Sequence, residues 1–186
     1  MAIKSTIFKA NLQIADIDNS YYADHALTLA RHPSETDERM MIRLAALALN
    51  AHVVDTVCKG DAKLDFGAGL SAVDEPDVWV KDFTGQIKLW VEVGQPEEKP
   101  LLKACGKADQ VLLYCFHHAA EVWWKGIETK LSRPQNLQVW RVPTEASREM
   151  ALLAERSMQL SATVQEGQLT LGNASRSVTL ECARWK

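Results

Sequence analysis

Between residues 3 and 14 polar and apolar side chains alternate, with Ile7, Lys9, Asn11 and Gln13 set against Phe8, Ala10, Leu12 and Ile14. A period of two predicts a half-buried strand. The polar run Asp16-Ile17-Asp18-Asn19-Ser20 reads as a turn. The return arm, Tyr21 to Ala30, fits helix or strand by pattern, and the short turn before it favours the second arm of a hairpin. Pro33 closes that arm. Ser34 stands as the N-cap of a helix reaching to about Asn50, with Glu35 and Glu38 favourable against the dipole. Met41, Leu44, Ala45 and Ala48 recur along it at helical spacing.

The middle of the chain alternates element types. Ala51 to Val57 is compatible with a short strand, and the turn residues and charges from Gly60 to Gly69 predict a loop. Pro76 to Asp82 and Gln86 to Val93 are β-rich runs joined through Thr84-Gly85, the pattern of a hairpin. Residues 100 to 108 predict a short helix with Pro100 tolerated in its first turn. Val111 to Phe116 is the continuous apolar run of a strand buried on both faces. A helix is expected around Ala119 to Leu131, a strand at Asn136 to Val142, and a helix from 144 to about 156. Alternation at 158–164, 168–171 and 176–184, broken at Gly167 and Gly172-Asn173, predicts a terminal meander. The order points to an α/β fold with a mixed sheet, read as a single domain over 1–186.

Composition narrows the function classes. With 186 residues, 47% hydrophobic and 24% charged, the chain can bury a sizeable core. Twenty-one Lys and Arg against 24 Asp and Glu give a formal charge of −3, so nucleic-acid binding, if present, must use a local basic flank. The longest apolar runs, Leu44 to Leu49 and Val111 to Phe116, fall far short of the ~20 residues of a membrane span. The N-terminus has no secretory pattern, which makes the cytoplasm the expected compartment. Cys58, Cys105, Cys115 and Cys182 lack metal-ligand spacing and read as reduced thiols.

The candidate chemistry gathers at the central hairpin. Asp77 and Glu92 lie on paired runs with a turn between them, so their carboxylates can converge at one end, an arrangement suited to Mg2+ or Mn2+. Residues 61–98 hold nine acidic residues against three lysines, and 99–141 seven basic against three acidic. An acidic pocket beside a basic, phosphate-facing flank has this polarity. Strand-edge charges and a solvated lysine face would give the same pattern.

These residues resemble a known family. Pro76-Asp77 followed by Glu92-Val93-Gly94-Gln95 is similar to the PD-(D/E)XK nuclease motif, whose superfamily has a restriction-endonuclease-like αβββαβ core. Arg31 to Met41, Asp74 to Asp77, Leu89 to Pro96, Lys103 to Ala108 and Val122 to Lys125 resemble the YaeQ family over essentially the whole chain. The resemblance implies that Asp77 and Glu92 are the metal-binding acids. The motif lysine falls at Gly94 and is missing from its strand; Lys103 on the following helix, among Lys99 and Lys107, is the expected substitute, with Gln95 as another group for water or phosphate. Glu38 is similar to the extra acid on the first core helix, and shares the apolar stripe of Met41, Ile42 and Ala45. Arg39 and Arg43 fall on the more polar side, where a solvated face is expected. His117-His118 should point apart, and Trp123-Trp124-Lys125 fits packing better than base stacking.

Two expectations follow. One is a Mg2+- or Mn2+-dependent phosphodiesterase with Asp77 and Glu92 on the metal, Glu38 in support, and Lys103 or Gln95 positioning water. The other is a binding or regulatory protein that keeps the fold and has lost catalysis, motivated by Gly94 and the acidic balance.

Overall fold

The computed structural model describes residues 5–68, 70 and 74–186. The alternating N-terminal run pairs as predicted: β1 (Thr6–Asp16) and β2 (Tyr21–Arg31) form an antiparallel hairpin in full register, Thr6 opposite Arg31 and Asp16 opposite Tyr21. Phe8, Ala10, Leu12 and Ile14 are buried, and their neighbours face solvent. The predicted terminal meander is β8 (Ser157–Gln165), β9 (Gln168–Gly172) and β10 (Ser177–Glu181). It does not stand apart. β8 lies parallel to β1, so hairpin and meander make one sheet of order β10-β9-β8-β1-β2.

A second, mixed sheet holds the site. β3 (Ala62–Phe66), β4 (Val78–Asp82) and β5 (Ile87–Val93) run antiparallel in sequence; α3 (Glu98–Cys105) leads to β6 (Ala108–Cys115), parallel to β5, and α4 (Ala120–Ile127) to β7 (Leu137–Arg141), parallel to β6. α5 (Thr144–Ala151) returns the chain to the first sheet, and β11 (Ala183–Arg184) adds to β7. β3 occupies the expected loop. Its charged residues Lys63 and Asp65 alternate with Ala62, Leu64 and Phe66, which pack on the core, a pattern an edge strand tolerates. The segment expected as a strand at 51–57 is instead a short helix, α2 (Val53–Thr56), continuing the helical path beyond α1.

α1 (Asp37–Asn50) is clamped between the two sheets and α5. It begins later than predicted: Thr36, not Ser34, is the N-cap, its hydroxyl accepting the Arg39 amide at 3.1 Å. Because apolar layers lie on both sides, Met40, Met41, Ile42, Leu44 and Leu47 are all buried to within 1% of full burial. That environment supports an all-round apolar helix, and it also buries Arg43. Beyond the second sheet a smaller core joins Trp90, Leu101 and Val111 under α3 and α4. Trp123 and Trp124 pack against it, Trp124 stacked on Trp185 at 6.1 Å, as expected of packing residues. The four cysteines are free thiols, and among the described residues no helix is long and apolar enough to cross a membrane.

Candidate functional site

Asp77 sits just before β4, its amide donating to Val91 O at 2.9 Å and so anchored to β5. Its carboxylate is 2% exposed and saturated: Arg39 Nη2 meets Oδ1 at 2.9 Å and Oδ2 at 2.8 Å, the Val93 amide donates to Oδ2 at 2.8 Å, and Arg43 Nε lies 3.4 Å from Oδ1. Glu35, 4% exposed, bridges the same two arginines, accepting from Arg39 Nη1 at 2.6 Å and from Arg43 Nη1 at 3.0 Å. Arg39 also reaches Val93 O at 3.1 Å. The helix thus presents two guanidiniums, one turn apart, to two buried acids. Burial pushes the Asp77 carboxyl up, and Arg39 and Arg43 pull it down. Burial would lower Arg39, but Asp77 and Glu35 raise it above its ordinary value. The four charges cancel only when both acids are ionised, and a neutral Asp77 would leave a buried positive excess, so the carboxylate form is the one this cluster holds.

Glu92 belongs to a different chamber. On β5 it shares a face with Trp90, whose Nε1 donates to its Oε1 at 2.8 Å. The two line a cavity of about 210 Å³ with Asp74, Lys99, Lys103 and Lys107. Lys103 pairs with Asp74, and Lys107 Nζ stands 5.6 Å from the Trp90 ring centre. Among the described residues no ion pair joins Glu92 to a lysine. Burial, followed by the nearby Asp77 charge, pushes the Glu92 carboxyl up to about 7, against the Trp90 hydrogen bond and Arg39. The two motif acids therefore feel each other, yet only Glu92 opens on this cavity.

The remaining predicted groups are drawn elsewhere. Glu38 is only partly buried and accepts from the Ser147 hydroxyl of α5, so it supports helix packing instead of the site. The Gln95 amide is tied to Phe116 O, which takes it away from water or phosphate. Gly94 explains the absent strand lysine. Its φ is +120° while its amide bonds Tyr114 O at 2.9 Å, a backbone state natural to glycine and strained for any side chain. His117 and His118 do not point apart as a strand would have them; His117 has left the strand with φ +86°, and the rings lie 4.4 Å apart.

Mg2+ and Mn2+ are commonly held by one or two carboxylates, with water completing the shell, and a larger cluster of ligands makes a tighter site. Among the described residues no group of three or more His, Cys, Asp or Glu side chains forms such a cluster. With Asp77 taken by guanidiniums, Glu92 is the one motif acid free to act as a donor. As arranged, the two motif acids do not fit Mg2+ or Mn2+ as a pair.

Comparison with known proteins fixes the kinship. The YaeQ protein family matches residues 1–182. The chain belongs to the YaeQ family. YaeQ of Salmonella typhi is 40% identical over all of the chain and 98% of the relative, and YaeQ of Escherichia coli K12 is 38% identical over the same shares. The crystal structure of YaeQ from Xanthomonas axonopodis pv. citri, 40% identical, superposes with a TM-score of 0.88, covering 98% of this chain and 99% of that one. YaeQ from Pseudomonas syringae, 28% identical, gives 0.88 over 98% and 96%.

In this YaeQ chain the residues that sequence alone misplaces are Glu35, Arg39 and Arg43. Their spacing of four carries a signal, an acid just ahead of the helix and two arginines one turn apart on it. The local pattern gives that row to solvent because nothing in it tells that a second sheet covers the helix.

Proposed function

We propose that this chain is a nuclease-like fold of the PD-(D/E)XK type that has become a binding protein for phosphodiester ligands, nucleic acid foremost, with Asp77 retained for structure. The order α1, β3, β4, β5, α3, β6 supports the nuclease-like core. The observation that carries the loss of catalysis is the guanidinium of Arg39 on both oxygens of Asp77, 2.9 and 2.8 Å away. The binding surface is the Glu92 cavity. Lys99, Lys103 and Lys107 supply the positive field, the buried Trp90 an aromatic floor, and Glu92 a carboxyl that loses its charge when protonated. Phosphate contacts of this kind act through charge and counterion release.

The test is oligonucleotide binding by anisotropy, at graded salt, for wild type and for Lys99→Glu with Lys103→Glu. Binding should weaken steeply with salt, tighten as pH falls through about 7 when Glu92 becomes neutral, and vanish in the double variant. Salt-independent binding, or full affinity in the variant, would remove this surface from consideration.

A second reading has one observation in its favour. Lys103 and Glu92 share one cavity beside Asp77, the place a displaced lysine would take in a metal-dependent phosphodiesterase, although Asp77 would first have to leave Arg39. Calorimetry with Mg2+ and Mn2+, and a cleavage time course on DNA and RNA with Glu92→Ala as the blank, separates the two. Saturable metal binding and cleavage lost in Glu92→Ala would favour the enzyme.

A further inference from the structure

A second cavity, about 300 Å³, lies in the seam between the two sheets at the C-terminal end of α1, away from the Glu92 chamber. Its polar floor is built. Asn50, 6% exposed, donates from Nδ2 to Ala46 O at 2.7 Å and to Tyr114 Oη at 3.0 Å. A carbonyl can only accept, so the amide orientation is fixed, and both Nδ2 protons are used. Tyr114, 5% exposed, therefore accepts from Asn50 and keeps its own hydroxyl proton to give. Among the described residues neither that proton nor Asn50 Oδ1 has a partner. One donor and one acceptor stand side by side on a lining that mixes apolar side chains with polar ones such as Gln110 and Gln138, and burial keeps the Tyr114 phenol protonated.

The rest of the lining selects the ligand. Trp140 lines the space with its indole, held by its Nε1 bond to Gln138 Oε1 at 3.2 Å and with the Arg184 guanidinium 5.8 Å from its ring centre. Leu112 and Leu180 enclose the interior. The titratable groups besides Tyr114 and Cys182 are Asp18, whose oxygens already accept the Glu166 and Gly167 amides at 2.8 and 2.9 Å, and His52, whose Nδ1 lies 3.3 Å from Asp16. Among the described residues no lysine or arginine lines the space. An anion would meet Asp18 with no lysine or arginine to offset it, and an aliphatic chain would leave the Tyr114–Asn50 pair unanswered. The volume is at the small end of ligand cavities, room for one ring system and little more.

We propose that this seam binds an uncharged, planar heteroaromatic ring of nucleobase size, whose adjacent acceptor and donor meet the Tyr114 hydroxyl and Asn50 Oδ1 while its face lies on Trp140. The amide-like edges of purines and pyrimidines have this complementarity. The site is independent of the phosphodiester surface, with separate residues and opposite charge preference.

The experiment uses saturation-transfer NMR and thermal shift on the full chain with adenine, hypoxanthine and uracil, each beside its nucleoside monophosphate. At least one free base should show saturation transfer and raise the melting temperature, with its monophosphate binding more weakly. Tyr114→Phe, which keeps the ring and removes the hydroxyl, should lower the affinity tenfold or more. Should that variant fail to fold, Cys182→Phe decides, because Cys182 lines the cavity and a phenyl ring there fills it. No transfer from any of the three bases, tighter binding of the monophosphates, or undiminished affinity in the folded variants would overturn the proposal.

Discussion

Arg39 gives up a place in solvent to meet three groups at once, Asp77, Glu35 and Val93 O. Removing one partner of a buried charge cluster strands the others, so Arg39→Met should cost about 3 kcal/mol in urea unfolding. Adding Asp77→Asn should recover part of that loss, since the stranded carboxylate is then gone. Glu92 gives the opposite sign. Its carboxyl is raised from 4.5 to about 7 by the fold, so folding is favoured while the group is protonated and loses ground as pH rises between those values. A tenfold change in acidity between the folded and unfolded chain corresponds to about 1.4 kcal/mol, and partial exposure reduces the sum, so Glu92→Gln should exceed wild type in stability by about 2 kcal/mol at pH 8 and match it near pH 4.5. A pH series of denaturant melts for the two proteins measures the gap; a constant gap across that range would mean that the Glu92 carboxyl is not raised.

At the scale of elements, the β5–α3 junction decides what chemistry the chain can hold. Gly94 follows β5 at φ +120°, so placing a lysine there as Gly94→Lys should destabilise the fold by about 2 kcal/mol through backbone strain, measured by thermal unfolding. Elements with a strong local period are legible in the sequence: β1 by its alternation, the Asp77–Glu92 hairpin by Thr84-Gly85, and β6 by its unbroken apolar run. β3 escapes such a reading because Lys63 and Asp65 look like loop residues until an edge position is known. α2 escapes it because a short apolar run carries no period of its own. At the site, the placing of Glu92 and the α3 lysines around one cavity is readable from α3 following β5. The capture of Asp77 by Arg39 is not, because it depends on α1 lying under the hairpin, a contact between residues 38 positions apart.

Across the whole molecule, one core runs from the outer sheet through α1 to β4 and β5. Melts followed by far-ultraviolet and by tryptophan signals should coincide, even though the tryptophans sit mainly in the second half of the fold; separated midpoints would mean that the outer sheet unfolds on its own. The partner that completes β1 is β8, Lys9 pairing with Ser157, so the first strand waits for one of the last. A ribosome adding about 5–20 residues per second takes roughly 7–30 s to cover that distance. Through that interval the nascent hairpin shows an unpaired flank, and a chain released at residue 156 should aggregate where the full chain stays dispersed. The parallel β1–β8 ladder thus makes synthesis of β8 the event that closes this flank of the sheet, and leaves an early open edge for a chaperone to shield.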